Sequence, residues 1–150
     1  SERELEAKLI QNVRRFLIEI GSDFTFVGTQ FRLVVDGDEF FIDLVLFHRR
    51  LRSLIAIELK TTKFTPEAAG KMQFYLTALD DLVRNEDENP SIGIIICKEK
   101  NRTVVEYTLR HMQSPMGVAT YRVHGDLPEN YQQYLPSPEE IAERLEIFRE

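Results

Sequence analysis

The sequence predicts a single α/β domain in which helices flank a mixed β-sheet built on an antiparallel meander. The chain opens with an amphipathic helical stripe, and three segments rich in aromatic and β-branched residues follow it. Helical and strand patterns then alternate, which favours a crossover return to the sheet. With 150 residues, 43% of them hydrophobic, the chain is long enough for one buried core.

The first half of the chain is predicted to form one helix and three strands. These elements are a helix over 2–20 and strands over 24–35, 40–49 and 53–62. Gly21 is a typical helix stop, and Gly28 is a position where the first strand can bend. Asp36-Gly37-Asp38 is a tight-turn signal, and Arg50-Leu51 joins the second and third strands. The three strands are therefore expected to form the meander.

The second half predicts alternating helices and strands. They are a helix from Thr65 to about Arg84, a strand over 92–97, a helix over 101–111, a strand over 117–123 and a last helix from about Pro138. Thr65 can cap its helix, and Pro66 fits the first helical position. The continuous apolar run of 92–97 is typical of a strand covered on both faces.

Composition excludes several classes of protein. One cysteine cannot form an internal disulfide framework, and no Cys/His cluster has zinc spacing. No apolar run approaches the roughly 20 residues of a membrane span, and the N-terminus lacks the layout of a signal peptide. We therefore expect a cytoplasmic protein without membrane association.

The charge is unevenly distributed. Residues 126–150 contain seven acids and two bases, which give −5 of the total net charge of −6. We interpret 1–125 as the core and 126–150 as an acidic extension with the terminal helix. The nearly neutral core has basic clusters in 49–52, 60–63 and 98–102, a distribution that permits binding to phosphate groups.

Three charged residues interrupt the apolar strands. Asp43 lies inside one apolar run, and Glu58 and Lys60 lie at the end of the next. A buried charge destabilises the folded protein by several kcal/mol unless it is paired or binds a metal. A turn centred between Arg50 and Leu51 places Asp43 directly opposite Glu58, with Lys60 on the same face. The three groups could hold a hard cation such as Mg²⁺, or they could form a buried ion pair.

Two helical residues add weaker signals. Glu6 projects near the middle of the apolar stripe of the first helix, so it is either a third acid of the site or a side chain that reaches solvent. Gln73 flanks the apolar face of the second helix, where its amide could bind a phosphate or an attacking water, or simply lie on the surface.

These residues resemble the PD-(D/E)XK nuclease core. Ile42-Asp43 is followed after fourteen residues by Glu58-Leu59-Lys60, and Ile42 stands where the family name has proline. Within that superfamily the chain is similar to the bacterial YhcG-like family. The segments that support this resemblance are Phe26-Val27-Gly28, the 40–52 hairpin, 57–60, Ala69-Gly70-Lys71-Met72-Gln73-Phe74-Tyr75-Leu76, 89–93 and 98–107.

The resemblance implies a restriction-endonuclease-like αβββαβ fold and a role for each motif residue. It implies that Asp43 and Glu58 are metal ligands, helped by the carbonyl of Leu59, and that Lys60 is the catalytic lysine. Gln73 would be the supporting residue of the second helix, and Glu6 an accessory acid. The implied cofactor is Mg²⁺, with Mn²⁺ as a substitute. The family usually has a separate N-terminal part, which we expect to be missing from this chain.

The expected function is therefore that of a metal-dependent endonuclease, which hydrolyses phosphodiester bonds in nucleic acid. DNA is the favoured substrate. Basic side chains would contact the nucleic-acid backbone without reading sequence: Arg49, Arg50, Arg52, Lys63 and Lys71. The alternative is a non-catalytic module that binds nucleic acid or recognises its structure on a nuclease fold. A protein-interaction domain that docks through 126–150 is a third hypothesis, and homodimerisation stays open.

Overall fold

A computed structural model of the chain describes Arg3, Glu4, Ala7, Ile10, Gln11 and residues 23–120. Its strands are β1 (Phe24–Val35), β2 (Asp38–His48), β3 (Ser53–Lys63), β4 (Asn89–Glu99) and β5 (Met116–Thr120). Its helices are α1 (Pro66–Leu82) and α2 (Arg102–Leu109). The five described residues before 23 are each in a helical conformation. The predicted terminal helix and Glu6 lie outside the described residues.

The five strands form one mixed sheet in the order β1-β2-β3-β4-β5. β1, β2 and β3 pair antiparallel, whereas β4 pairs parallel with β3 and β5 pairs parallel with β4. The predicted meander and crossover return are thus confirmed, and this is a mixed α/β fold of the restriction-endonuclease-like kind. No helix among the described residues is long and apolar enough to cross a membrane.

Local signals in the sequence determine how the strands are connected. Asp36 and Gly37 both have positive φ, 49° and 88°, as the two central residues of a tight hairpin turn require. The register of β1 against β2 shifts between Phe26 and Gly28, which confirms the predicted bend. Thr65 is the N-cap of α1 and Pro66 its first residue, but the Thr65 side chain makes no capping hydrogen bond. Asn101 caps α2 by accepting a hydrogen bond from the backbone N–H of Val104.

The core lies on both faces of the sheet. One cluster contains Leu44, Leu46 and Ile57 and includes Ile10 from the N-terminal segment. The other cluster lies between the sheet and α1 and contains the buried face of that helix. From Ser91 to Cys97 every residue of β4 is buried, as the continuous apolar run predicted.

One glycine sets how closely α1 approaches the sheet. A Cβ atom built on Gly93 of β4 would lie 2.6 Å from Cγ of Met72 and 3.1 Å from Cδ1 of Leu76. Met72 and Leu76 are both fully buried, so neither has free space to move into. The absence of a side chain at Gly93 therefore allows α1 to pack directly on β4, beside the strand that contains Glu58.

Candidate active site

The candidate site lies where the ladder between β2 and β3 ends. Pairing runs from His48 opposite Ser53 to Leu44 opposite Ile57, which is the register that the sequence predicted. Asp43 and Glu58 occupy the next position on each strand. Their carboxylates therefore meet at the end of the ladder instead of being covered by a further pair of residues.

The direction of the β2 side chains changes at Asp43. Val45 and Ile42, three residues apart, both belong to the core layer of α1, whereas strict alternation would put them on opposite faces. On the neighbouring strand Gln30 has a positive φ of 45°. Asp43 lies at this irregularity. With regular alternation its side chain would point towards only one of the two core layers. The sequence analysis assumed regular alternation and therefore did not predict this irregularity.

Two hydrogen bonds hold the Asp43 carboxylate. Its Oδ2 accepts a hydrogen bond from the backbone N–H of Leu59, with a distance of 2.8 Å between the two heavy atoms. Its Oδ1 accepts one from the side-chain amide of Gln30 at 3.2 Å. The first of these bonds ties Asp43 directly to β3, next to Glu58. Gln30 is a residue of the site that the sequence analysis did not identify.

Glu58 is poorly compensated as an anion. Its Oε1 atom is buried and accepts no hydrogen bond. Burial in the first place, and then hydrogen bonding and charge repulsion from Asp43, raise the pKa of Glu58 to about 9, although Lys71 and the backbone N–H of Asp43 oppose the shift. A buried carboxyl group beside a second carboxylate needs either a proton or a cation. The two carboxylates supply the oxygen ligands that a hard divalent ion prefers.

Two lysines face the same space as Glu58. A cavity of about 400 Å³ is lined by residues of β3 and α1, among them Glu58, Lys60 and Lys71. Lys60 is half-buried and comes from the same strand as Glu58. Lys71 comes from the first turns of α1, and its Nζ lies 5.6 Å from the ring centroid of Tyr75, one helical turn further on. The Tyr75 hydroxyl in turn donates a hydrogen bond to the carbonyl oxygen of Phe41 at 3.3 Å.

Asp43 also borders a second cavity, on the side of the N-terminal segment. This cavity has a volume of about 570 Å³ and is lined by Asp43, Thr29, Gln30 and the described N-terminal residues Arg3, Ala7, Ile10 and Gln11. Glu6, the predicted accessory acid, belongs to that segment but lies outside the described residues. Within the described part of the chain, no three His, Cys, Asp or Glu side chains group together as a metal site would need. Two carboxylates with backbone carbonyls and water can still hold Mg²⁺.

Gln73 is not brought to the carboxylates. Its Nε2 donates to Oγ of Ser114 at 2.8 Å, and its Oε1 accepts from the backbone N–H of Ser114 at 3.1 Å. At about 100° per residue, Gln73 projects roughly 200° away from Lys71 around α1. Because Lys71 faces Glu58, Gln73 has to face the other way, and it fastens α1 to the loop before β5. A further cavity of about 630 Å³ near this loop and α2 contains no carboxylate pair.

The three arginines lie at the opposite end of the β2–β3 hairpin. The turn begins five residue pairs from Asp43 and Glu58, about 17 Å away along the strands. Arg50 forms an ion pair with Asp23 at 3.2 Å. The guanidinium of Arg52 contacts both the carboxylate and the backbone carbonyl oxygen of Asp87. Arg49 is exposed in the same turn. Lys63, at the end of β3, and Lys71 are the two predicted backbone-binding residues that lie on the side of the carboxylates.

The sheet, the flanking helices and the acidic pair beside a lysine define the class of restriction-endonuclease-like proteins. The sequence profile of the YhcG PDDEXK nuclease domain matches residues 1–136. The chain therefore belongs to the family of YhcG PDDEXK nuclease domains.

One curated relative shows the same relationship over nearly the whole chain. It is a protein of Escherichia coli strain K12 described as "Putative nuclease YhcG", and it is 37% identical over 145 residues. The match covers 97% of this chain but 36% of the relative, so the chain spans about a third of the length of that protein. No solved structure gives a significant match.

Proposed function

We propose that this domain hydrolyses phosphodiester bonds of DNA in a reaction that depends on a divalent cation, Mg²⁺ or Mn²⁺. The family supports a nuclease, and PD-(D/E)XK nucleases generally use divalent metals. The observation on which the proposal depends is the Glu58 carboxylate, which is half-buried beside Asp43 with one oxygen that accepts no hydrogen bond. Such a pair is costly as two bare anions, and a cation between them removes the cost.

The residues that would hold the cation are Asp43, Glu58 and the backbone carbonyl of Leu59. When bound, the cation supplies charge neutralisation at the scissile phosphate and makes water a stronger nucleophile at neutral pH. The Leu59 N–H and the Gln30 amide fix the orientation of the Asp43 carboxylate through their hydrogen bonds. This preorganisation means that one ligand needs no rearrangement before the reaction.

Lys60 provides the positive charge that the reaction requires next to the acidic pair. Lys60 lines the same cavity as Glu58, where its ammonium can orient an attacking water and stabilise charge developing on the phosphate oxygens. Glu58 and Lys60 are both half-buried, so this charge is more effective there than on an open surface. We assign no catalytic role to Gln73, because both atoms of its amide bond to Ser114.

Nucleic acid would lie across the edge that presents Lys60, Lys63 and Lys71. The Arg49–Arg52 turn is too far from the carboxylates to touch the scissile phosphate, so its arginines would contact the backbone several nucleotides away. These contacts would position the substrate without reading its sequence.

A cleavage assay tests the proposal. Supercoiled plasmid is incubated with the protein in Mg²⁺ or Mn²⁺, and the wild type is compared with Asp43→Asn, Glu58→Gln and Lys60→Met. We expect cleavage by the wild type and a loss of at least about 100-fold in each variant. Arg84→Met, which removes a charge just beyond the end of α1, is the matched control and should cleave like the wild type. Equal activity of Asp43→Asn and the wild type would refute the proposed site, and a wild type that binds DNA without cleaving it would support the non-catalytic alternative.

A further inference from the structure

β1 and β2 continue past the two carboxylates as a two-stranded ribbon. Their pairing extends to Val35 opposite Asp38, whereas β2 pairs with β3 only as far as Leu44. We call residues 31–42 the β-arm, and its five residue pairs make it about 17 Å long. The β-arm therefore projects from the end of the β2–β3 ladder at which the carboxylates meet, so it borders a substrate held there.

The two faces of the β-arm have different surroundings. Phe40 and Ile42 pack in the core layer of α1, and the ring centroids of Phe40 and Phe74 are 4.7 Å apart. Phe41 lies between these two residues in the strand, so its side chain points to the opposite, outer face. The hydroxyl of Tyr75 donates a hydrogen bond to the carbonyl oxygen of Phe41, which fastens the backbone at this position to α1.

The Phe41 ring is exposed on the outer face of the β-arm. Its exposed fraction is 45%, and it belongs to neither buried cluster. Arg32 lies directly opposite Phe41, and its guanidinium forms an ion pair with Glu39 at 2.6 Å. Val34 is also exposed and lies diagonally across from Phe41. The outer face thus presents an apolar surface whose one basic side chain is paired with an acid.

This surface lies beside the candidate active site. Phe41 is two residues from Asp43, which is about 7 Å along β2. The second cavity that Asp43 borders is also lined by Ile10, which packs with Leu44 in the core layer opposite α1. Phe41 and this cavity are therefore on the same side of the sheet. A phosphate held at Asp43 would place the ring within about two nucleotides of it.

The charge of the β-arm disfavours a phosphate backbone along it. The β-arm has three acids and one base, a net charge of −2: Asp36, Asp38, Glu39 and Arg32. The basic residues Lys60 and Lys63 lie on β3, on the other side of the carboxylates. Because acids repel phosphates but not the uncharged face of a base, an exposed ring on this arm suits a base.

We propose that Phe41 stacks on an unpaired base of the substrate, so that the domain cleaves DNA that is single-stranded beside the scissile phosphate in preference to continuous duplex. The inference rests on the proposed function, because it takes Asp43 and Glu58 as the site of cleavage. Every base has a flat face, so this contact does not depend on sequence. In a continuous duplex the bases are paired and stacked on one another, and none is open to the ring. Negative supercoiling favours local unpairing, so cleavage of supercoiled plasmid agrees with this preference.

The test compares three DNAs of the same sequence: a single strand, a blunt duplex and a duplex with a single-stranded flap. Binding is measured by fluorescence anisotropy in Ca²⁺ at several salt concentrations, and cleavage is measured in Mg²⁺ and in Mn²⁺. Phe41→Leu keeps an apolar side chain without the ring, and Phe41→Tyr keeps the ring. Tyr107→Leu removes an exposed ring from α2 and is the matched control. Circular dichroism checks that each variant is folded.

We expect Phe41→Leu to bind the single strand about five- to thirtyfold more weakly, as is typical for the loss of one contact between a base and an aromatic ring. Its affinity for the blunt duplex and its salt dependence should match those of the wild type, because the lost contact is not ionic. Phe41→Tyr and Tyr107→Leu should bind like the wild type. The wild type should cleave the single strand or the flap at least about tenfold faster than the blunt duplex.

Phe41→Trp gives an independent signal, because the chain has no tryptophan of its own. The fluorescence of the new indole should be quenched when the single strand is added in Ca²⁺ and should change little with the blunt duplex, since only unpaired bases can stack on it. A ring with a purely structural role would respond to neither DNA.

The inference is overturned if the wild type cleaves the blunt duplex as fast as the single strand and the flap, or if folded Phe41→Leu binds the single strand as tightly as the wild type. An equal loss in Tyr107→Leu would also overturn it, because the contact would then not be specific to the β-arm. Failure of the proposed function gives a different result. In that case Asp43→Asn would cleave like the wild type while Phe41→Leu still bound the single strand more weakly. The stacking contact would then stand, and the assignment of the cleavage site would fall.

Discussion

Replacing Glu58 by glutamine is expected to stabilise the metal-free protein at neutral pH. In the folded chain the pKa of Glu58 is raised from 4.5 to about 9, mainly because the group is buried. The folded state therefore retains a proton that the unfolded state releases above pH 4.5. The favourable contribution of protonated Glu58 is complete below that pH and is lost as the pH rises towards 9. Glutamine resembles the protonated acid and keeps its neutral form throughout.

The size of the effect follows from the distance between the two pKa values. Each pH unit above 4.5 lowers the free energy of unfolding of the wild type by about 1.4 kcal/mol. Relaxation of the site reduces the total, so we expect Glu58→Gln to be more stable than the wild type by on the order of 2–3 kcal/mol at pH 7. At pH 5 the two proteins should differ little. The gain amounts to a sizeable fraction of the roughly 5–15 kcal/mol by which a domain is stable.

Urea unfolding followed by far-UV circular dichroism measures this difference, since the chain has no tryptophan. The transitions are recorded in EDTA at pH 5 and pH 7.5. Glu86→Gln, which changes an exposed carboxylate in the loop after α1, is the matched control and should unfold like the wild type at both values. The reasoning fails if Glu58→Gln is no more stable than the wild type at pH 7.5, or if its gain is the same at both pH values.

Further predictions concern the metal, the packing of α1 and Gln73. Mg²⁺ or Mn²⁺ should raise the melting temperature of the wild type but not of Asp43→Asn, and an equal rise in both would exclude Asp43 as a ligand. Gly93→Ala should lower the free energy of unfolding by about 1–3 kcal/mol, because its methyl group would overlap Met72. Gly70→Ala, with open space in an exposed position of α1, should raise it by about 0.5–1 kcal/mol, and urea unfolding of the two variants compares them directly. Gln73→Ala should cost about 1–3 kcal/mol through its lost bonds to Ser114, and a loss of cleavage without a loss of stability would contradict this.

In the part of the chain from 23 to 120, local patterns were sufficient to predict the helices, the strands and the pairing of β2 with β3. The positions of Gly28, Asp36-Gly37 and Pro66 fixed a bend, a turn and a helix start, because each depends on the backbone preferences of a few neighbouring residues. The register of β2 against β3 followed from the turn between Arg50 and Leu51, since two strands joined by a short turn have few alternative pairings.

Contacts between distant residues were harder to predict. Sequence spacing put both Lys71 and Gln73 close to the functional region, but it could not say which of them faces the sheet. That choice depends on the rotation of α1, which follows from how Met72 and Leu76 pack against Gly93. The side-chain arrangement at Asp43 likewise depends on the irregular backbone of Gln30 in the neighbouring strand.

Within residues 23–120, the sequence by itself therefore determined the order of helices and strands, the hairpin register and the position of Asp43 next to Glu58 on neighbouring strands. These features depend on residues that are close along the chain or joined by one turn. Only the tertiary structure decided that Lys71 shares the cavity of Glu58, that Gln73 bonds to Ser114, and that Arg50 and Arg52 pair with Asp23 and Asp87. Those contacts join segments far apart in the chain, and the close packing of the core selects them.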